Sequence, residues 1–236
     1  MGRYGRGMTG YSRYAIYYAP PEGGFATATA AWLGWDAAMG RPVPHPVLDG
    51  LPAPVADLTR APRKYGFHGT IKAPFRLAHG VTEDRLRAEV TALASRLPVA
   101  IARGLTLLRL KGFLALVPDG NETDILALGA EVVSALDPLR ANLTAEEIAR
   151  RRPDRLTPRQ RHLLDLWGYP YVMEEFRFHL TLTDDLPEDR AEAVARILGS
   201  WLAPHLPQPF TIADLCLFGQ DAQGRFHLVS RHALSG

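Results

Sequence analysis

Hydrophobic and polar positions along the chain divide it into short strand-like runs and amphipathic stretches. Residues 13 to 19 are rich in aromatic and β-branched side chains and stop at Pro20-Pro21, which predicts a first strand. Residues 25 to 39 are alanine-rich, with Trp32 and Trp35 three apart and Gly40 as a stop, which predicts a helix. Residues 41 to 62 are studded with proline and lack helical period, so a long stiffened loop is expected. Residues 65 to 72 (YGFHGTIK) read as a strand, followed by a helix from the N-cap Thr82 to about Leu97. Two strands are expected next, near 100 to 110 and 113 to 117, around a tight Lys111-Gly112 turn. The order then recurs: a strand over 175 to 183 (EFRFHLTLT), a helix over 187 to 202, and strands near 209 to 218 and 225 to 231. A β-α-β-β unit used twice predicts an internal duplication.

The expected architecture is therefore α+β. It has one bilobal domain of two pseudo-symmetric lobes around a central cleft, with lobe 1 over about 60–118 and lobe 2 over about 171–234. An N-terminal strand and helix over 12–40 precede them, and a helical insert over about 121–170 separates them. Within the insert, Thr144 with Glu147 forms a capping box, and Thr157-Pro158 reads as the N-cap and first position of another helix. Residues 1 to 10 carry four glycines and no period, and read as a tag or frayed terminus.

The two repeat strands carry the same local text, Phe67-His68-Gly69-Thr70-Ile71 and Phe178-His179-Leu180-Thr181-Leu182. Residue frequencies predict about 0.003 occurrences of Phe-His-x-Thr-Ile/Leu in such a chain, so two at equivalent places of a repeat are not accidental. Strand alternation puts His68, Thr70 and Lys72 on one face, and Arg177, His179, Thr181 and Thr183 on one face. Their polar groups are costly to bury unpartnered, so both faces are expected to border one wet cleft. In-line displacement at a phosphodiester needs a base on the incoming oxygen and an acid on the leaving one, and two opposed imidazoles supply both. Thr70 and Thr181 are placed to bind phosphate oxygens, and Lys72 and Arg177 to offset charge. For Lys72 and Arg177 a cross-strand ion pair is an equal alternative. Tyr17 reads as a core aromatic, or as a platform for a sugar or base.

Composition narrows the partners. The chain has 236 residues, is 47% hydrophobic, and carries 27 basic against 25 acidic side chains for a net charge of +2. That balance disfavours long polyanions and suits a small anionic substrate. No stretch is long enough to span a membrane, and one cysteine, Cys216, excludes a disulfide framework, so a cytoplasmic protein is expected. No metal box is evident, and neither metal nor cofactor is expected. Arg150, Arg151, Arg152, Arg155, Arg159 and Arg161 form either a solvated helical face or a basic rim over the cleft.

Paired His-x-Thr motifs in a duplicated α/β unit resemble the 2H phosphoesterase superfamily. The strings YGFHGTIKAPFRL, GFLALVP, RRRPDRLTPRQRHLLDLWGYPYV and EEFRFHLTLT resemble a branch of uncharacterised proteins associated with bacterial phosphonate metabolism. The resemblance implies His68 and His179 as the catalytic pair and Thr70 and Thr181 as phosphate ligands. It also implies hydrolysis of a small phosphodiester, most simply a cyclic sugar or nucleotide phosphate. Gly69 stands where that branch suggests alanine, which predicts looser packing there. Lys72 matches Thr183 in position but not in chemistry, so the halves are inequivalent, and sequence does not say which histidine is the base. Processing or binding of 2′,3′-cyclic RNA ends is the second reading, and a non-catalytic nucleotide or phospho-sugar sensor the third. Oligomeric state and the role of the insert are not readable from the chain.

Overall fold

The computed structural model describes residues 10–236; residues 1–9, nearly all of the segment read as a tag or frayed terminus, lie outside the described residues. The elements run β1 (Arg13–Tyr18), α1 (Gly24–Leu33), β2 (Trp35–Asp36), β3 (Arg41–Pro42), α2 (Val55–Leu58), α3 (Arg60–Arg63), β4 (Gly69–Phe75), α4 (Glu83–Ala94), β5 (Ala100–Ala102), β6 (Gly104–Leu110) and β7 (Phe113–Asp119). They continue through α5 (Thr123–Leu136), α6 (Ala145–Arg150), α7 (Pro158–Trp167), β8 (Leu180–Thr181), α8 (Glu188–Leu202), β9 (Phe210–Ile212), β10 (Asp214–Gln220) and β11 (Phe226–Ala233).

Seven strands form one antiparallel sheet in the order β11-β10-β1-β4-β8-β7-β6. Both copies of the β-α-β-β unit are present, and they exchange strands. The first copy's β4 lies beside β1, on the side of the second copy's β10 and β11, whereas the second copy's β8 lies beside β7, on the side of the first copy's β6 and β7. The helices follow the same exchange, with α4 packed on β10 and β11 and α8 on β6 and β7. Each half of the sheet is thus built from both copies, so the sequence spans 60–118 and 171–234 do not coincide with the two halves.

The predicted caps form. The Thr82 hydroxyl accepts from Arg85 N, and Thr144/Glu147 and Thr157/Gln160 both make complete capping boxes. Helix α1 is shorter than its alanine-rich pattern suggested, ending at Leu33 because Gly34 turns left-handed at φ 76°. Trp32 is buried there and donates its indole N–H to Leu182 O at 2.8 Å, while Trp35 leaves the helix for β2. The proline-rich stretch contains two single helical turns, α2 and α3.

The larger core lies on the helix-covered face of the sheet. Ile16, Ile71, Leu116, Leu180 and Leu217 meet α4 through Leu86 and Val90, and α8 through Val194 and Leu198. Full burial of each such side chain contributes roughly 1.5–3 kcal/mol. A smaller cluster of Ala15, Tyr17, Cys216, Phe218 and Phe226 sits on the opposite face, where the polar residues of the motifs also emerge. No helix among the described residues is long and apolar enough to cross a membrane.

Candidate active site

A cleft of about 750 Å³ opens over the middle of the sheet, where β4 meets β8. His68, Thr70, His179 and Thr181 all line it. The pairing that joins the copies is brief: Gly69 pairs with Leu180, one residue beyond each histidine. The space above that pair is taken. A Cβ on Gly69 would lie 2.3 Å from Phe178 Cζ, so the missing methyl makes room for the Phe178 ring against the strand. The position expected to loosen packing is instead filled by its counterpart motif.

The two histidines are held alike. His68 Nδ1 lies 2.9 Å from Gly66 O, and His179 Nδ1 lies 2.8 Å from Arg177 O, each reaching back two residues. A carbonyl only accepts, so Nδ1 carries the proton in both rings and Nε2 is left free for the cleft. In the first motif the carbonyl is set by Gly66, whose φ of 69° and close approach to the Ala37 methyl admit no side chain.

Their surroundings differ. His68 is packed between Tyr17, with ring centres 4.0 Å apart, and Tyr65, at 5.6 Å. Burial among these rings pushes its imidazole down to about 4, with the neighbouring His179 adding in the same direction and the Gly66 carbonyl opposing. His179 has one aromatic neighbour, Phe113 at 5.7 Å. Each histidine lies one residue before its strand, but β8 is short: the strand expected over 175–183 is paired only at Leu180–Thr181, after a single 3-10 turn at Met173–Glu175.

Other expected site residues fall elsewhere. Lys72 leaves the cleft. Two register shifts between β1 and β4 make Tyr17 face Thr70 but Ile16 face Lys72, so alternation breaks between Thr70 and Lys72. Its ammonium is buried, donating to Val133 O at 3.1 Å and Asp137 Oδ1 at 3.4 Å, and burial lowers its pKa to about 8. Arg177 is exposed and turns back to donate to Glu174 O and Phe176 O; only its carbonyl serves the site. Thr183 lines the cleft but is 2% exposed, and its hydroxyl accepts from Leu114 N. Tyr17 is 1% exposed with its ring against His68, so it supports the imidazole and offers no free face to a sugar.

Sequence reading missed several cleft residues. Tyr65, Phe113, Lys64, Asp184 and Asp185 line the cleft, as does Arg151 from the insert, which lies over the Tyr169 ring at 4.8 Å. The available signal was adjacency: Tyr65 and Asp184 each lie three residues from a motif His or Thr. Among the described residues no three His, Cys, Asp or Glu side chains converge to hold a metal ion.

Two curated relatives are both named ribose 1,5-bisphosphate phosphokinase PhnN. One, from Janthinobacterium sp. (strain Marseille), is 39% identical over 188 residues, covering 79% of this chain and 42% of the relative. The other, from Laribacter hongkongensis (strain HLHK9), is 38% identical over 206 residues, covering 81% and 46%. The match thus spans less than half the length of these relatives. Among solved structures it is similar to Escherichia coli LigT complexed with 3′-AMP, at 15% identity and a TM-score of 0.44, covering 96% of this chain and 99% of that one. A structure described as a phosphoesterase matches at 14% identity and a TM-score of 0.43, covering 96% and 99%. Residues 70–227, from the first motif threonine through the second motif to β11, match the family described as protein of unknown function (DUF1045), and the chain belongs to that family.

Proposed function

We propose that the protein is a 2H-type phosphodiesterase that hydrolyses a small cyclic phosphodiester of a sugar or nucleotide without a metal ion, as part of phosphonate breakdown. One observation carries this reading: two histidines with the same Nδ1-to-carbonyl tether open on one cleft, each followed by a cleft-lining threonine. The names of the curated relatives support a phosphorylated ribose as the sugar.

His68 is the base and His179 the acid. Burial keeps His68 neutral near pH 7, so its Nε2 lone pair accepts a proton from water as the water oxygen bonds to phosphorus. The bond to the ring oxygen breaks on the opposite side, and that oxygen takes the Nε2 proton of cationic His179, whose Nδ1–H stays on the Arg177 carbonyl. A bound phosphodiester anion raises the affinity of His68 for the proton it must accept. Thr70 and Thr181 donate their hydroxyls to the non-bridging oxygens. Product leaves with His68 protonated and His179 neutral, and exchange with solvent resets both.

The test is turnover of 2′,3′-cyclic nucleotides and of cyclic ribose phosphates in the presence of EDTA, by wild type and by His68→Ala and His179→Ala. Hydrolysis that persists with EDTA and is lost in both variants is expected. Activity that vanishes with EDTA, or survives both substitutions, defeats the reading.

A further inference from the structure

Beside the cleft lies a second, smaller chamber of about 210 Å³. The two adjoin, since Ala73, Pro74, Arg151 and Tyr169 line both. Six cations border the chamber: Arg13, Lys72, Arg76, Arg140, Arg150 and Arg151. Among the described residues only three carboxylates answer them. Glu147 takes Arg76 in a two-pronged pair at 3.0 and 2.9 Å. Asp137 is shared between Arg140 at 2.8 Å and Lys72 at 3.4 Å. Glu146 meets Arg150 at 3.2 Å on the exposed rim.

Among the described residues Arg13 is satisfied only by the neutral Gln220 side chain, at 2.7 Å, and Arg151 only by the face of Tyr169. Three positive charges are therefore uncompensated around a pocket one small group wide. One of the cations, Lys72, is 3% exposed. Cations are not gathered in such a place without cost unless an anion joins them. Guanidinium groups converging on a small volume suit a tetrahedral oxyanion, which accepts two-pronged hydrogen bonds.

We propose that this chamber is a second phosphate subsite, holding a phosphate monoester carried by the same molecule whose cyclic diester lies between His68 and His179. The assignment rests on the hydrolytic reading above for the orientation of the substrate, and adds that the substrate bears two phosphates. Arg151 stands where the two volumes join, and its side chain spans the cyclic phosphate and the terminal one. Arg13 enters from β1 and contacts the terminal phosphate alone. The arginine-rich insert thereby acquires a role in selection: it closes the chamber, and a substrate lacking the second phosphate leaves Arg13 and Arg151 unpaired.

The test compares adenosine 2′,3′-cyclic phosphate with the same nucleotide carrying a 5′-phosphate. Both are assayed as substrates of the wild-type chain and, by calorimetry, as ligands of the H68A/H179A chain. The 5′-phosphate is expected to tighten binding about ten- to hundredfold, the gain from charge-assisted hydrogen bonds to one anion. Arg151→Gln and Arg13→Gln are each expected to cut that ratio about fivefold or more, whereas Arg155→Gln, on the exposed insert surface, leaves it unchanged. A ratio near one in the unsubstituted chamber overturns the subsite, whether or not turnover is seen. So does binding of inorganic phosphate that brings no gain to the tethered 5′-phosphate, because the chamber then serves a free anion. A preserved binding preference with no hydrolysis of either nucleotide sinks the hydrolytic reading and leaves the subsite standing.

Discussion

The two His-x-Thr motifs share a sequence pattern and a tether, yet their settings are unlike. The first leads into β4, a seven-residue strand flanked by β1 along most of its length, and its histidine, one residue before that strand, is wedged between two tyrosines. The second has two paired residues, and its histidine rests in extended chain beside one phenylalanine. Duplication supplied two equal groups, and packing made them unequal. The ring that loses water loses its charge, which is the property a base needs before it acts.

The largest effects test whether this inequality is chemical. His68→Ala and His179→Ala are each expected to lower kcat on a cyclic diester by about 10²–10⁴-fold, the range for one acid–base group. On a nitrophenyl phosphodiester, whose leaving group needs no proton, the His179→Ala defect is expected to shrink below about tenfold while the His68→Ala defect persists. The reverse pattern would exchange the two roles. Next come the threonines: Thr70→Val and Thr181→Val should each cost about 10- to 100-fold in kcat/KM, as one hydrogen bond to a charged oxygen is worth.

A packing test follows. Gly69→Ala should destabilise the fold by about 1–3 kcal/mol, read from the urea midpoint, because Phe178 occupies the space its methyl needs. An unchanged midpoint would mean that the join between the copies is slack.

The smallest expected effect concerns pH. With His68 near 4, the acid limb of kcat/KM should fall below pH 5 and not near 6.5. Tyr65→Ala, which admits water to the ring, should move that limb upward by about half a unit. Stability carries the same signature. The folded pKa lies below the unfolded value of 6.5, so the unfolded chain binds more protons between these values. Stability from this group is complete above 6.5 and is lost as pH falls toward 4. A His68→Gln chain lacks that slope, and an identical slope in both chains would remove burial as the source of the asymmetry.

The meeting of the two motifs in one cleft was legible because each motif is local: His68, Thr70, His179 and Thr181 follow from six-residue strings and strand alternation. Helix caps were legible for the same reason, since Thr144 and Glu147 bond across three residues. Lys72 was misplaced because alternation holds only while register holds, and the bulge opposite Ile16 and Tyr17 is a property of two strands. The length of β8 failed likewise, for its residues favour a strand but only Leu180 and Thr181 pair in register, and beyond them the Leu182 N–H and the Thr183 hydroxyl bond to Leu114. Arg151 was one arginine in a run, and only the fold singles it out by aiming it over Tyr169 toward the cleft.

The exchange of strands between the copies has a consequence for how the chain matures. Strand β1 is made early, yet one of its two partners is β10, with Arg13 paired to Gln220. During synthesis its edge facing β10 waits unpaired while some two hundred residues are added, and that half of the sheet closes only when the end of the second copy has been made. Such distant pairings make assembly slow, and they expose an aromatic-rich strand meanwhile. A shortened chain ending before β10 would carry both histidines and both threonines and leave that edge of β1 open.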